Sequence, residues 1–135
     1  MTLVVDASFV MAALTDPGAD GRWAESLIEG EALAAPHLML VEAANILRRA
    51  VLAEVLTASE AGMAHANLLR LRVELFAYPA FASRVWALRS NFTACDAWYV
   101  ALAESLGAPL ATLDQRMTVA PGPTCRFVTP PVRED

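Results

Sequence analysis

Four carboxylates, Asp6, Glu42, Asp96 and Asp114, occupy positions from which they could share one edge of a fold. Asp6 ends the run Thr2-Leu-Val-Val, and Asp114 follows Leu110-Ala-Thr-Leu113. Both runs suit buried strands, and the carboxyl ends of strands are where open α/β sheets bind ligands. Asp96 stands three residues after Thr93, a good N-cap, where a carboxylate meets free backbone N–H groups and the positive end of a helix dipole. Glu42 lies early in an apolar helix. Each acid alone has an ordinary explanation as a strand-end, helix-start, turn or solvated helix residue. Four brought together repel one another unless a cation joins them. Hard oxygen donors without a histidine or cysteine cluster select Mg²⁺ or Mn²⁺ over Zn²⁺. Such an ion activates water and stabilises charge developing on phosphate, so phosphodiester hydrolysis is the chemistry expected.

The elements that must position these acids are legible along the chain. Residues 93–117 read as helix, turn and strand: Ala94, Ala97, Trp98, Ala101, Leu102 and Leu106 recur at helical period, and Gly107 with Pro109 marks the stop. Upstream, Ala7–Leu14 predicts a short helix, Thr15–Asp20 a turn-rich loop, and Arg22–Ile28 a second helix. Ala32–Ala35 predicts a strand, and Pro36 suits entry to a long helix, which would place Glu42 about 9 Å along its axis. Thr57-Ala-Ser-Glu60 is a capping box opening a helix to about Arg70. Val73–Tyr78 predicts a strand, Phe81–Leu88 a helix, and Cys125–Val128 an edge strand. Alternating strands and helices argue for a three-layer α/β/α domain with a mainly parallel sheet, one domain over 1–135 with a flexible tail from 129 to 135.

Composition excludes several classes. The formal charge is −5 and all ten basic residues are arginine, so Schiff-base and P-loop lysine chemistry are absent. The two cysteines, Cys95 and Cys125, form neither a disulfide framework nor a Cys-x-x-Cys metal or redox pair. No apolar run is long enough to span a bilayer and no basic signal region opens the chain, so the cytoplasm is the expected location and no membrane is expected as a partner.

These motifs together resemble the PIN-domain ribonucleases of the VapC toxin type, over nearly the whole chain. The family's opening Asp followed two residues later by a hydroxyl residue is matched by Asp6 and Ser8, its helix-borne Glu by Glu42, and its later acids by Asp96 and Asp114. Thr112 fits the family's Thr-x-Asp. The resemblance implies Mg²⁺- or Mn²⁺-dependent endonucleolytic cleavage of RNA, homodimerisation, and inhibition by a cognate VapB-like antitoxin. It also implies catalytic and metal-binding roles for Asp6, Glu42, Asp96 and Asp114, with Ser8 and Thr112 in support. In one departure, Gln115 and Arg116 follow the last Asp, where some relatives carry a further acid, which counts against a full second metal site.

Other readings compete. A haloacid-dehalogenase-like phosphatase would need an Asp where Ser8 stands and a lysine elsewhere. A degenerate PIN-like RNA- or protein-binding module would have lost one or more of the four acids. The acidic balance counts against broad nucleic-acid affinity, although ten arginines can still line a groove. Arg116 could hold phosphate or be merely solvated; Ser8 serves better as a hydrogen-bonding group than as a nucleophile, for no histidine is close in sequence. Trp23, Trp86 and Trp98 are expected to pack in the core or an interface, and His37 and His65 to be surface or packing residues. Phe9, Met11, Trp23 and Leu27 are candidate antitoxin contacts, with core packing as their alternative.

Overall fold

The computed structural model describes residues 1–132. Five strands form one parallel sheet: β1 (Thr2–Val5), β2 (Ala32–Pro36), β3 (Val73–Phe76), β4 (Leu110–Ala111) and β5 (Phe127–Val128), in the order β3-β2-β1-β4-β5. Among the described residues seven α-helices connect them: α1 (Ala7–Thr15), α2 (Ala19–Gly30), α3 (Met39–Leu52), α4 (Ala58–Arg70), α5 (Ala82–Ala87), α6 (Ala94–Leu106) and α7 (Gln115–Val119). The architecture is α/β/α. Strands β1 to β3 step outward one way, and β4 and β5 lie on the other side of β1. Right-handed crossovers therefore put α1 to α4 on one face and α5 and α6 on the opposite face. The order reverses between β1 and β4. That is the topological switch point of the sheet, and its carboxyl end is where a ligand crevice opens.

Central strands are buried on both faces and need apolar side chains throughout. Leu3, Val4 and Val5 of β1, Leu33, Ala34 and Ala35 of β2, and Leu110 and Ala111 of β4 are all buried. Helix α6 supplies the other half of this core: Ala97 through Ala103 are buried without interruption, which allows the helix to lie against β1, β2 and β4. Its ends follow the local signals. The Thr93 side chain accepts from the Asp96 N–H, and Gly107 closes the helix in the left-handed region at φ 60°. The Thr57–Glu60 capping box is formed in both directions.

The C-terminal segment is tied to this frame by one ion pair. Arg84 on α5 donates to Glu104 on α6 at 2.6 and 3.0 Å, and to the Gly122 carbonyl at 2.9 Å, while Glu104 accepts from the Thr124 N–H at 2.7 Å.

Several boundaries differ from the sequence reading. Helix α3 begins at Met39 rather than at Pro36, because Pro36 completes β2, paired with Phe76; Glu42 consequently sits in the first helical turn. The strand before Asp114 pairs only over Leu110–Ala111, and β5 only over Phe127–Val128. Helix α7 has no counterpart in the sequence reading: its signal is an Asp N-cap followed by only one turn, too short for periodicity to register. Trp86, expected in the core or an interface, stands outside the core at 66% exposed, with the Arg89 guanidinium 4.6 Å from its ring centroid. Phe9 and Met11 are core residues, 0% and 3% exposed, so a partner has no access to them. The segment 129–132 carries no regular element, and 133–135 of the expected tail lie outside the described residues.

Gly21 stands where α2 comes close to the end of α1. A Cβ there would stand 1.7 Å from the Asp16 carbonyl oxygen and 2.8 Å from that of Ala12, both rigid backbone atoms. Gly21→Ala is expected to cost about 3 kcal/mol or more by forcing the two helices apart. Urea denaturation of the variant measures it.

Candidate functional site

Asp6 is the innermost of the four acids, 6% exposed at the end of β1. Burying a carboxylate is costly unless donors surround it. Three do so here. Its Oδ1 accepts from the Ser8 hydroxyl at 2.7 Å and from the Phe9 N–H at 2.9 Å, and its Oδ2 accepts from the Thr112 hydroxyl. The Phe9 bond makes Asp6 the N-cap of α1, so local sequence fixes its rotamer. The Thr112 bond comes from the end of β4, which pairs with β1 through Val5 and Ala111. Thr112 is fully buried, and its hydroxyl also accepts the Asp114 N–H at 2.9 Å, while the Ser8 hydroxyl accepts the Leu113 N–H at 3.2 Å. One hydroxyl thus links the first acid to the loop carrying the fourth.

Glu42 and Asp96 approach from the helices. Tyr99 of α6 is 2% exposed and donates its hydroxyl to Glu42 Oε1 at 2.5 Å, joining α6 to the first turn of α3. Tyr99 is the residue that sequence reasoning missed: it reads as one more apolar position on α6, and its spacing of three from Asp96 is the only signal that both face the same cleft. Asp96 is half-buried one turn earlier, its backbone capped by Thr93. Asp114 caps α7 through the Arg116 N–H at 3.0 Å, and the Arg116 side chain pairs with both Asp114 oxygens at 3.2 Å. Arg116 therefore neutralises an acid of the site in this structure instead of standing apart from it.

Asp6, Ser8, Glu42, Asp96 and Asp114 line one cleft of about 260 Å³, together with Asn45, Arg49 and Tyr99. Thr112 lies beneath it, and Arg116 lines an adjoining cleft that shares Asp96 and Asp114. His37 and His65 are exposed and line neither.

The electrostatics separate the acids. Burial pushes the Asp6 carboxyl above its ordinary range despite its three donors. Desolvation also raises Glu42, with the Tyr99 bond opposing and Asp96 and Asp6 adding repulsion, and it raises Asp96, with Asp114 adding repulsion. Asp114 is lowered, because Arg116 bonds its ionised form. Loss of solvent outweighs mutual repulsion as the cause of the three raised values. Among the described residues no three acids, histidines or cysteines form a group tight enough to chelate a metal. What the donor set does fit is a hard cation taking one or two carboxylates and keeping the rest of its shell as water.

The PIN-domain family model matches residues 3–122. The chain belongs to the PIN-domain family, among its VapC-type members. It is 39% identical over 125 residues to Ribonuclease VapC1 of Mycobacterium tuberculosis, an alignment covering 92% of this chain and 94% of that one. It is 40% identical over 116 residues to Ribonuclease VapC9 of the same organism, covering 86% and 88%. Among solved structures, VapBC2 from Rickettsia felis, described as bound to a DNA fragment from its promoter, superposes with a TM-score of 0.66 over 97% of this chain and 100% of that one at 14% identity. That last likeness bears on the PIN fold alone.

Desolvation of these three carboxyls makes their ionised forms costly in the folded protein. Each raised group contributes stability that is present below its unfolded pKa and lost as pH rises through its folded value. Metal-free stability is therefore expected to fall as pH rises from about 4. Asp96→Asn removes one half-buried charge and should melt higher than wild type in EDTA at neutral pH, by about 4 °C for each kcal/mol relieved. Mn²⁺ should raise the wild-type melt. A variant that melts lower in EDTA, with a wild type indifferent to Mn²⁺, would show these acids serving structure alone.

Proposed function

We propose that this chain is a Mg²⁺- or Mn²⁺-dependent endoribonuclease, the toxin of a toxin–antitoxin pair held in check by a VapB-like antitoxin. The observation that carries the proposal is the convergence of Asp6, Glu42, Asp96 and Asp114 on one cleft at the switch point of a VapC-type chain. Asp6 and Asp96, directly or through water, would hold the cation, with Glu42 beside it. When bound, it supplies a polarised water and a counter-charge for the phosphate. Asp6 is fixed by its three donors and presents only its remaining lone pairs. Glu42 has Oε1 engaged by Tyr99, which leaves Oε2 to accept a proton from an attacking water. Its raised pKa brings it nearer the operating pH of a base. Ser8 and Thr112 orient Asp6, and Asp114 stands by with its charge met by Arg116.

One observation favours a second reading, an RNA- or protein-binding module without catalysis: the acids do not form a three-ligand group among the described residues. Incubating RNA with purified wild type and Asp96→Asn, each with Mn²⁺ and with EDTA, separates the two. The nuclease reading expects cleavage only by wild type with Mn²⁺ and a loss of at least a hundredfold on substitution. Equal, EDTA-resistant cleavage, or none at all, would overturn it.

Partner surfaces follow the same logic. With Phe9 and Met11 inside the core, Trp23 and Leu27 are half-buried, whereas Leu52, Val55 and Met63 offer apolar surface that is 67%, 73% and 67% exposed. We assign an antitoxin helix to this surface rather than to the interior positions; homodimerisation is part of the same proposal.

Tyr99→Phe tests the role of Glu42 without touching a charge. The Tyr99 bond lowers the Glu42 pKa, so its loss should move the acid limb of the pH–rate profile upward. An unshifted profile would remove Glu42 from the role of base.

A further inference from the structure

An acidic cleft that binds a polyanion needs cations placed beside it. Bound metal answers the scissile phosphate, but the flanking phosphates meet only the protein. Two arginines stand at opposite ends of the site. Helix α3 presents Glu42, Asn45, Ile46 and Arg49 to the cleft at spacings of three, four and seven, which is one face of a helix. Arg49 therefore lies about 10 Å along α3 from Glu42. It is the one cation lining this cleft among the described residues, and it makes no ion pair among them. At the far end, the adjoining cleft of about 300 Å³ shares Asp96, Asp114 and Met117 and continues past Asn91, Phe92, Thr93 and Arg116. The two clefts make one trough with its acids in the middle.

The two ends are not equivalent. Arg116 is already bonded to both Asp114 oxygens, so its charge is answered inside the protein. Arg49 is exposed and uncommitted. As the basic residue of the last turn of α3 it also complements the helix dipole, a role that any rotamer turned away from the acids would fill as well, while Arg48 beside it lines neither cleft. Dipole compensation does not account for the arginine that faces the acids.

We propose that Arg49 is a substrate-positioning residue, anchoring through its guanidinium a backbone phosphate on one side of the cleavage point of a single-stranded RNA segment laid along this trough, with Asn45 between it and the acids. A guanidinium fork matches two phosphate oxygens. A single strand is the occupant because the innermost acid is recessed at 6% exposure, and only a flexible backbone can bend one phosphate toward it. This inference rests on the ribonuclease reading of the same site, and its test is built to fail separately.

Binding of fluorescein-labelled, mixed-sequence single-stranded RNA should be measured by anisotropy in Mg²⁺, in an Asp96→Asn background that suppresses cleavage, across a salt series. Adding Arg49→Ala is expected to weaken binding about tenfold and to reduce the slope of log K against log salt by about 0.7, the loss of one phosphate contact to a single strand. Arg49→Lys should keep the slope and recover part of the affinity, and Arg48→Ala should leave both unchanged. In the cleaving protein, Arg49→Ala should raise KM more than it lowers kcat. Equal affinity and slope for Arg49→Ala, or equal losses for Arg48→Ala, would overturn the assignment even if wild type cleaves RNA. Arg49-dependent binding by a chain that never cleaves would uphold the trough while overturning the nuclease reading.

Discussion

Holding the Asp6 carboxyl at the junction of β1 and β4 is the constraint from which the rest of the site follows. A carboxylate this deeply buried requires donors on both oxygens, and they come from two distant parts of the chain: Ser8 and Phe9 from the turn into α1, and Thr112, 106 residues from Asp6, from the end of β4. Those bonds exist only if β1 and β4 are adjacent and in register. The topology that reverses at this point opens the cleft, and the same hydroxyl that satisfies Asp6 fixes the backbone of Asp114.

Around that fixed centre the other acids are graded by solvent. Asp6, Glu42 and Asp96 are raised chiefly by desolvation, while Asp114, the most solvated, is lowered by its bond to Arg116. Repulsion among them is real but secondary, since the carboxylates line the cleft without crowding into a chelating group. The arrangement suits a cation that retains water. Tyr99 joins the two helices that carry Glu42 and Asp96, so packing of α3 against the α6 end of the sheet sets how far apart those acids stand.

Apolar surface divides in a similar way. The alanine-rich face of α6 vanishes into the sheet, and Phe9 is enclosed at 5.4 Å from the Trp23 ring. Several of the apolar residues left in solvent, Leu52, Val55, Met63 and Leu69, fall at the end of α3, in the α3–α4 turn and on α4.

The sequence by itself determined the elements whose signals are local: the Thr93 cap and Gly107 stop of α6, the Thr57–Glu60 box, the buried runs ending near Asp6 and Asp114, and hence the parallel α/β class and the four acids worth watching. Backbone hydrogen-bonding and side-chain periodicity act over a few residues, and a reader needs only those residues to see them. Tertiary structure decided what depends on distant neighbours. Pro36 entered β2 because Phe76 lay opposite it, Phe9 and Met11 went inside because α1 is covered on several sides, and Trp86 stayed outside on a helix of one and a half turns. Tyr99 could not be told from core until Glu42 was found within reach of its hydroxyl, nor Arg49 from Arg48 until the cleft showed which of them faces the acids. These assignments turn on burial and on contacts made across the sheet, which no short stretch of sequence contains.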